Sequence, residues 1–202
     1  MLSPREGGIE VCGYTRFSGQ RMPKHLVGLV PQEESIPFDL SVFEYVLLGR
    51  APHLGLLEQP GARDRDIALE ALRTVGIEGL KNRSVPSLSG GERQLAMVAR
   101  VLAQESGVLL MDEPTSHLDL GNARRVLDLM RALRAAGKTV VFSTHDANAA
   151  AALADQAVLM KRGRILCSGR PEEVFTPANL CELYDIEVEV AHFRGRPLVV
   201  IE

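Results

Sequence analysis

Tryptophan is absent, and aromatic residues make up only 4% of the 202 residues. So few rings argue against the stacking platforms that hold single-stranded nucleic acid. Positive charge is not in excess either. The chain has 23 Lys+Arg against 26 Asp+Glu, a net −3 and a pI near 6.0. A nucleic-acid surface wants the opposite balance. The three cysteines, Cys12, Cys167 and Cys181, are too few and too scattered for a disulfide framework or a metal knuckle. Their odd number fits a reducing compartment. No apolar run approaches the roughly 18 residues that cross a bilayer. Residues Met1 to Gly8 carry no hydrophobic region of a signal peptide. These absences leave a soluble, cytoplasmic, globular chain of one domain, or one domain with a sub-domain. The 46% hydrophobic and 24% charged content is ordinary for such a chain.

The chain alternates strand and helix patterns and shows no internal repeat. After a turn at Pro4 to Gly8, strands are expected at Ile9–Cys12 and Leu26–Val30, the second stopped by Pro31. Helices follow at Ser41–Leu48 and Asp64–Val75, ended by Gly49 and Gly76. Gly107–Met111 and Thr139–Ser143 are continuous apolar runs, the pattern of strands buried on both faces of a parallel sheet. Between them, residues Asn122–Leu133 carry apolar positions at helical spacing. An Ala-rich helix at Ala147–Ala154 comes next, then a hairpin of Gln156–Met160 and Arg164–Ser168. A helix at Pro171–Phe175 and a hairpin of Glu187–Ala191 and Leu198–Ile201 close the chain. This alternation predicts an α/β fold with right-handed crossovers.

Four places carry chemistry. Leu88-Ser89-Gly90-Gly91-Glu92-Arg93-Gln94 opens a helix whose apolar face is Leu95, Val98, Val101 and Leu102. Ser89 and Glu92 have capping-box spacing, and two glycines at a helix start let backbone N–H groups approach an anion. Asp112-Glu113-Pro114-Thr115 follows a buried strand, where parallel sheets place ligands. The first carboxylate can hold Mg²⁺ and the second can orient and deprotonate a water. His145, in Ser143-Thr144-His145-Asp146, follows another strand on the same sheet edge and could reach a γ-phosphate. Gln32, just past Pro31, could offer its amide oxygen to Mg²⁺ or a water. Taken singly, each reads as readily as a helix cap or a solvated loop residue.

Their order is more specific. Gln32, Ser89-Gly90-Gly91-Glu92-Arg93-Gln94, Asp112-Glu113, Ser116-His117-Leu118-Asp119 and His145 run in a series that resembles the ATPase subunits of ABC transporters. In that family these are the Q-loop, signature motif, Walker B with catalytic glutamate, D-loop and H-switch, and the resemblance covers essentially the whole chain. Residues Tyr45 to Gly55 and Leu183 to Val190 are further similar to importers of ferric siderophores, haem and cobalamin. The resemblance implies a P-loop NTPase-like α/β core at residues 1–36 and 107–202, with an inserted helical sub-domain at 37–106. It implies ATP and Mg²⁺, with Asp112 and Gln32 at the metal. Glu113 would act on the attacking water and His145 on the γ-phosphate. Ser89, Gly90 and Gly91 would close on ATP bound by a second copy, with Asp119 crossing that interface. The implied partners are a homodimer mate, transmembrane permease subunits and, through the permease, a periplasmic or extracellular substrate-binding protein, with no nucleic acid. The implied location is the cytoplasm, peripheral on the inner face of the plasma membrane. Two other readings stay open: a non-transport ABC-type ATPase, and a non-catalytic binding module that lends its signature motif to ATP held by an intact partner.

One family motif is missing. No G-x-x-x-x-G-K-[ST] phosphate loop occurs in the sequence. Gly137-Lys138-Thr139 is a decoy, because Ala132 stands where the first glycine belongs and the order is helix to strand. Lys138 is expected to face the dipole of the helix it ends. In the family the phosphate loop precedes the segment like Met1–Gly8, so the chain reads as N-terminally truncated, with Met1 an internal methionine or the start of a shortened chain. Loss of the strand that carries that loop is expected to leave unpaired edges and exposed apolar surface. Losing three charge-assisted hydrogen bonds, at roughly 1.5–3 kcal/mol each, removes several decades of affinity. Titrated alone with Mg·ATP in a calorimeter, this chain is therefore expected to bind more weakly than micromolar. A micromolar dissociation constant would contradict the expectation.

Overall fold

A computed structural model describes residues 6–15, 22–34, 36 and 38–200. The expected turn at Pro4 and Arg5 and the strand end at Ile201 lie outside the described residues. Contacts divide the chain into two compact units, Met1–Met111 with Gly137–Val141, and Asp112–Ala136 with Phe142–Glu202.

In the first unit, β1 (Glu10–Val11) and β2 (Tyr14–Thr15) form a short antiparallel ladder. β3 (Val27–Val30) pairs in parallel with β4 (Val108–Met111), Val27 opposite Val108 and Val30 opposite Met111. β5 (Thr139–Phe142) lies on the other side of β4. Parallel neighbours joined through helices are what the α/β pattern predicted. The burial differs from expectation. Val108, Leu109 and Met111 are buried, but β5 alternates between exposed and half-buried, and Leu29, Leu110 and Val141 are exposed. β5 is an edge strand among the described residues, so its apolar run is covered incompletely.

Three helices complete this unit. α1 (Val42–Leu47) starts at Ser41, whose Oγ accepts the Glu44 N–H at 3.2 Å while the Glu44 carboxylate accepts the Ser41 N–H at 2.8 Å. A 3₁₀ turn over Leu48–His53 follows. α2 (Ala62–Thr74) begins two residues before the expected start, because Asp64 turns back to accept the Gly61 N–H at 3.0 Å. α3 (Gly90–Ala103) is the most buried helix here and packs on α1, α2 and β3. Gly49 explains how closely the 3₁₀ turn meets α3: a Cβ there would stand 2.1 Å from the Arg100 carbonyl oxygen, which is backbone and cannot yield. Lys138 departs from expectation. Its Nζ donates to the Ser106 carbonyl at 2.8 Å, in the loop between α3 and β4.

The second unit is built on α4 (Leu120–Ala135), α5 (Ala147–Leu153), α6 (Pro171–Val174) and α7 (Pro177–Tyr184) with two hairpins. β6 (Ala157–Lys161) pairs with β7 (Arg164–Gly169), and β8 (Glu189–Phe193) with β9 (Arg196–Val200). Both turn through an arginine and a glycine at positive φ, 50° and 76° at Arg162-Gly163, 52° and 76° at Arg194-Gly195. That pair of left-handed residues matches the strand twist. Val174, Phe175, Leu180, Val188 and Val199 close around Ala151 and Leu159 as one core. α7 was not expected from the sequence. Its signal is Thr176 before Pro177, a cap followed by a proline at the first helical position, and its stop is Asp185 at φ 58°.

Arg50 is the polar centre of the first unit. It is 5% exposed, and its guanidinium donates to Asp64 Oδ1 at 2.9 Å, Glu105 Oε2 at 2.8 Å and the Ala103 carbonyl at 2.7 Å. The Arg50 guanidinium and the Gly61 N–H hold the Asp64 carboxyl below its usual value of 3.8. A lowered carboxyl contributes stability above its usual range, and that contribution disappears as pH falls through the lowered value. Arg50→Met is expected to cost about 2–3 kcal/mol at pH 7, since it strands charged hydrogen-bond partners. The difference from the parent should narrow below about pH 4 as Asp64 protonates. Urea unfolding of both proteins at pH 7 and pH 3 checks this, and an equal gap at the two pH values would contradict it.

Candidate functional site

The chain leaves β4 at Met111 and reaches Asp112 and Glu113, and it leaves β5 at Phe142 and reaches Ser143. Within the second unit these residues form one chain of hydrogen bonds. Ser143 Oγ donates to Asp112 Oδ1 at 2.5 Å. The same oxygen accepts the Glu113 N–H at 3.0 Å. The Glu113 carboxylate lies 3.0 Å from His145 Nδ1. One hydroxyl thus fixes the Asp112 carboxylate and the Glu113 main chain, and an imidazole meets the Glu113 carboxylate.

Glu113 has φ 44°, in the left-handed region that costs a non-glycine residue about 1 kcal/mol. The bonds around it hold that conformation: the Ser143 hydroxyl takes its N–H, and the Ser116 N–H and Oγ both donate to its carbonyl at 3.0 Å. The turn aims the side chain of Glu113 at His145. Asp112 is exposed and Glu113 half-buried, so partners and water, and not deep burial, set their environment. His145 is 73% exposed and does not cap α5. That task belongs to Asp146, whose Oδ1 accepts the N–H groups of Asn148 and Ala149 at 2.9 and 3.0 Å. Below, the Tyr184 hydroxyl reaches the His145 carbonyl at 3.4 Å. Burial first, and then the nearby Asp146 charge, raise the Tyr184 phenol above 10.0.

Asp119 caps α4. It accepts the Asn122 N–H at 2.9 Å and the Asn122 side-chain amide at 2.7 Å, which hold its carboxyl below 3.8. It is exposed.

In the first unit, Ser89 caps α3, accepting the Glu92 N–H at 3.3 Å while Glu92 accepts the Ser89 N–H at 2.8 Å. These bonds to Ser89, with Arg83 beyond, keep the Glu92 carboxyl below 4.5. Ser89 and Gly90 are exposed and Gly91 is buried, so the helix start faces solvent while its second residue packs. Gln32 is exposed on the loop after β3. Two residues on, Glu34 is tied inward. It accepts from the Tyr45 hydroxyl and lies 3.2 Å from an Arg100 Nη, whose guanidinium stands 5.2 Å from the Tyr45 ring centre. Tyr45 is 1% exposed, and burial with the Glu34 bond pushes its phenol well above the ordinary tyrosine value. The loop carrying Gln32 is therefore anchored to α1 and α3.

Of the residues expected from sequence, Asp112, Glu113 and His145 form one cluster, and Ser89, Gly90 and Gly91 one helix start. Ser143, the residue that ties the cluster together, was not singled out. A hydroxyl immediately past a strand at its carboxyl end was the available signal. Among the described residues, no group of three or more His, Cys, Asp or Glu is arranged to hold a metal ion unaided.

Comparison with known proteins gives concordant matches. A sequence model of the family described as ABC transporter matches residues 1–116. The hemin import ATP-binding protein HmuV of Gloeobacter violaceus is 39% identical over 98% of this chain and 75% of its own length. The ferric enterobactin transport ATP-binding protein FepC of Escherichia coli is 32% identical over 99% of this chain and 75% of its own. A solved structure of a metal-chelate type ABC transporter in an inward-facing conformation superposes with a TM-score of 0.79 at 36% identity, covering 86% of this chain and 70% of that one.

Ser143→Ala removes the donor to Asp112 and the acceptor for the Glu113 N–H. The expected loss is about 1–2 kcal/mol of unfolding free energy in urea. Ser143→Thr keeps the hydroxyl and is expected to recover most of it. An alanine variant as stable as the parent would show that the hydroxyl does not hold the turn.

Proposed function

Because the chain belongs to the ABC transporter family of ATP-hydrolysing subunits, we propose that it is the ATPase of an importer for an iron–siderophore, haem, cobalamin or related metal chelate. The observation that carries the reading is the hydrogen-bonded series Asp112, Ser143, Glu113 and His145. Glu113 is held in one conformation with its carboxylate forward, as a group that positions a water must be. It orients the water and takes its proton as the water oxygen bonds to the γ-phosphorus and the bond to the ADP oxygen breaks. His145 uses Nδ1 toward Glu113 and so presents Nε2 to a γ-phosphate oxygen.

Mg²⁺ arrives with the nucleotide and neutralises phosphate charge when bound. Asp112 suits it: the carboxylate is exposed, fixed by Ser143, and of the hard oxygen type that such an ion takes once or twice alongside phosphate and water. For Gln32 the proposed part is an amide oxygen offered to Mg²⁺ or to a water. In a head-to-tail pair of copies, Ser89, Gly90 and Gly91 meet the nucleotide of the other copy, where the N–H groups at a helix start favour phosphate. Asp119 reaches across the same interface. Residues 37–106 are the helical sub-domain that moves with closure and carries the permease, through which a separate binding protein delivers substrate. None of the described helices is long and apolar enough to cross a membrane, and the chain is assigned a peripheral place on the inner face through that permease. Import is favoured over a non-transport role because HmuV and FepC are by name import and transport proteins.

Steady-state hydrolysis at several millimolar Mg·ATP, with the permease present, tests the assignment. Glu113→Gln is expected to lower turnover by about 10²–10⁴-fold, the range of a lost general base. Turnover above a tenth of the parent's would remove Glu113 from that role.

A further inference from the structure

α5 begins two residues after His145, so whatever fixes α5 fixes the main chain at His145. The C-terminal hairpin grips that helix at both ends. At the start, Asn148 Nδ2 donates to the Val199 carbonyl at 3.0 Å and Asn148 Oδ1 accepts the Val199 N–H at 2.7 Å. One side chain thereby pairs with β9 as a neighbouring strand would. At the end, an Arg196 Nη donates to the Ala154 carbonyl at 3.0 Å. Between them Ala151 is fully buried in the core that contains Val199. Apolar burial alone would allow α5 to slide along the hairpin. Two opposed hydrogen bonds to one residue of β9 fix its register.

We propose that the β8–β9 hairpin sets the position of His145, with Asn148 as the positioning residue and Arg196 as its support. The inference rests on the reading of His145 given above. Asn148 spends its side chain on the Val199 main chain and has no bond within the series Asp112, Ser143, Glu113 and His145. It acts through Asp146 and the first turn of α5, and its loss lets the imidazole leave the Glu113 carboxylate without unfolding the unit.

The test uses the full chain labelled with ¹⁵N and the long-range proton–nitrogen spectrum of its five imidazoles at pH 8. The His145 signal is identified by its loss in His145→Ala. Asn148→Ala is expected to move that signal to the position of a solvent-averaged imidazole. Val199→Ala keeps both main-chain partners of Asn148 and should leave the signal in place despite a lower melting temperature. Asn148→Asp keeps the acceptor for the Val199 N–H, so it should give an intermediate shift. It also serves as the readout if the alanine variant does not fold. With the permease present, Asn148→Ala should reduce kcat about tenfold or more with KM within twofold, as expected for a misplaced catalytic group. An unmoved His145 signal in Asn148→Ala, or an equal shift in Val199→Ala, overturns the proposal. Full hydrolysis by Glu113→Gln would instead overturn the reading of the catalytic pair and leave the imidazole shift standing.

Discussion

The left-handed turn at Glu113 is the constraint on which the site depends. A glutamate in that conformation is disfavoured, and it persists because three hydroxyl or amide bonds around it are made at once. Ser143 is the joint. It comes from the end of one strand and fixes the Asp112 carboxylate and the Glu113 main chain, which follow the end of another. Removing either strand end would leave the other without its orientation. The arrangement spends local backbone strain to aim one carboxylate, a trade that makes sense where a water must be met in a single geometry.

The first unit has a comparable centre in Arg50. A buried guanidinium with three acceptors joins the 3₁₀ turn, α2 and the end of α3. Glu34, Tyr45 and Arg100 do the same on another side of α3, binding the loop after β3 to the helices. Directional contacts of this kind add less net energy than apolar burial, yet they specify register. The loop that carries Gln32 is therefore tied to α1 and α3 by directional contacts.

Much of this was legible in the sequence, for identifiable reasons. Ser89 with Glu92 announced a helix start that the structure places there, because a capping box is a local interaction, and the helix expected from Ser41 starts on a box with Glu44 that the structure added. The apolar runs before Asp112 and Ser143 marked strands, and the hairpin at Lys161-Arg162-Gly163 followed from turn chemistry. What failed was non-local. The exposure of Val141 depends on what covers a sheet, and the bond from Lys138 to Ser106 joins residues far apart in sequence. α7 was missed because eight residues give little periodicity. Ser143 carried only a weak signal, a hydroxyl just past a strand end, because its role depends on Asp112 and Glu113 some thirty residues away.

The burial of Tyr45 has an optical consequence. Without tryptophan, the near-ultraviolet absorption and intrinsic fluorescence of this protein come chiefly from Tyr14, Tyr45 and Tyr184. They occupy a short N-terminal hairpin, the first helix and the end of α7 beside His145. A phenol bonded to a carboxylate, as Tyr45 is to Glu34, ionises late and emits weakly, whereas Tyr14 sits in a different environment. The chain thus carries its own ultraviolet chromophores beside the loop after β3 and behind the imidazole, and a change around either is expected to register in absorption or emission without any label.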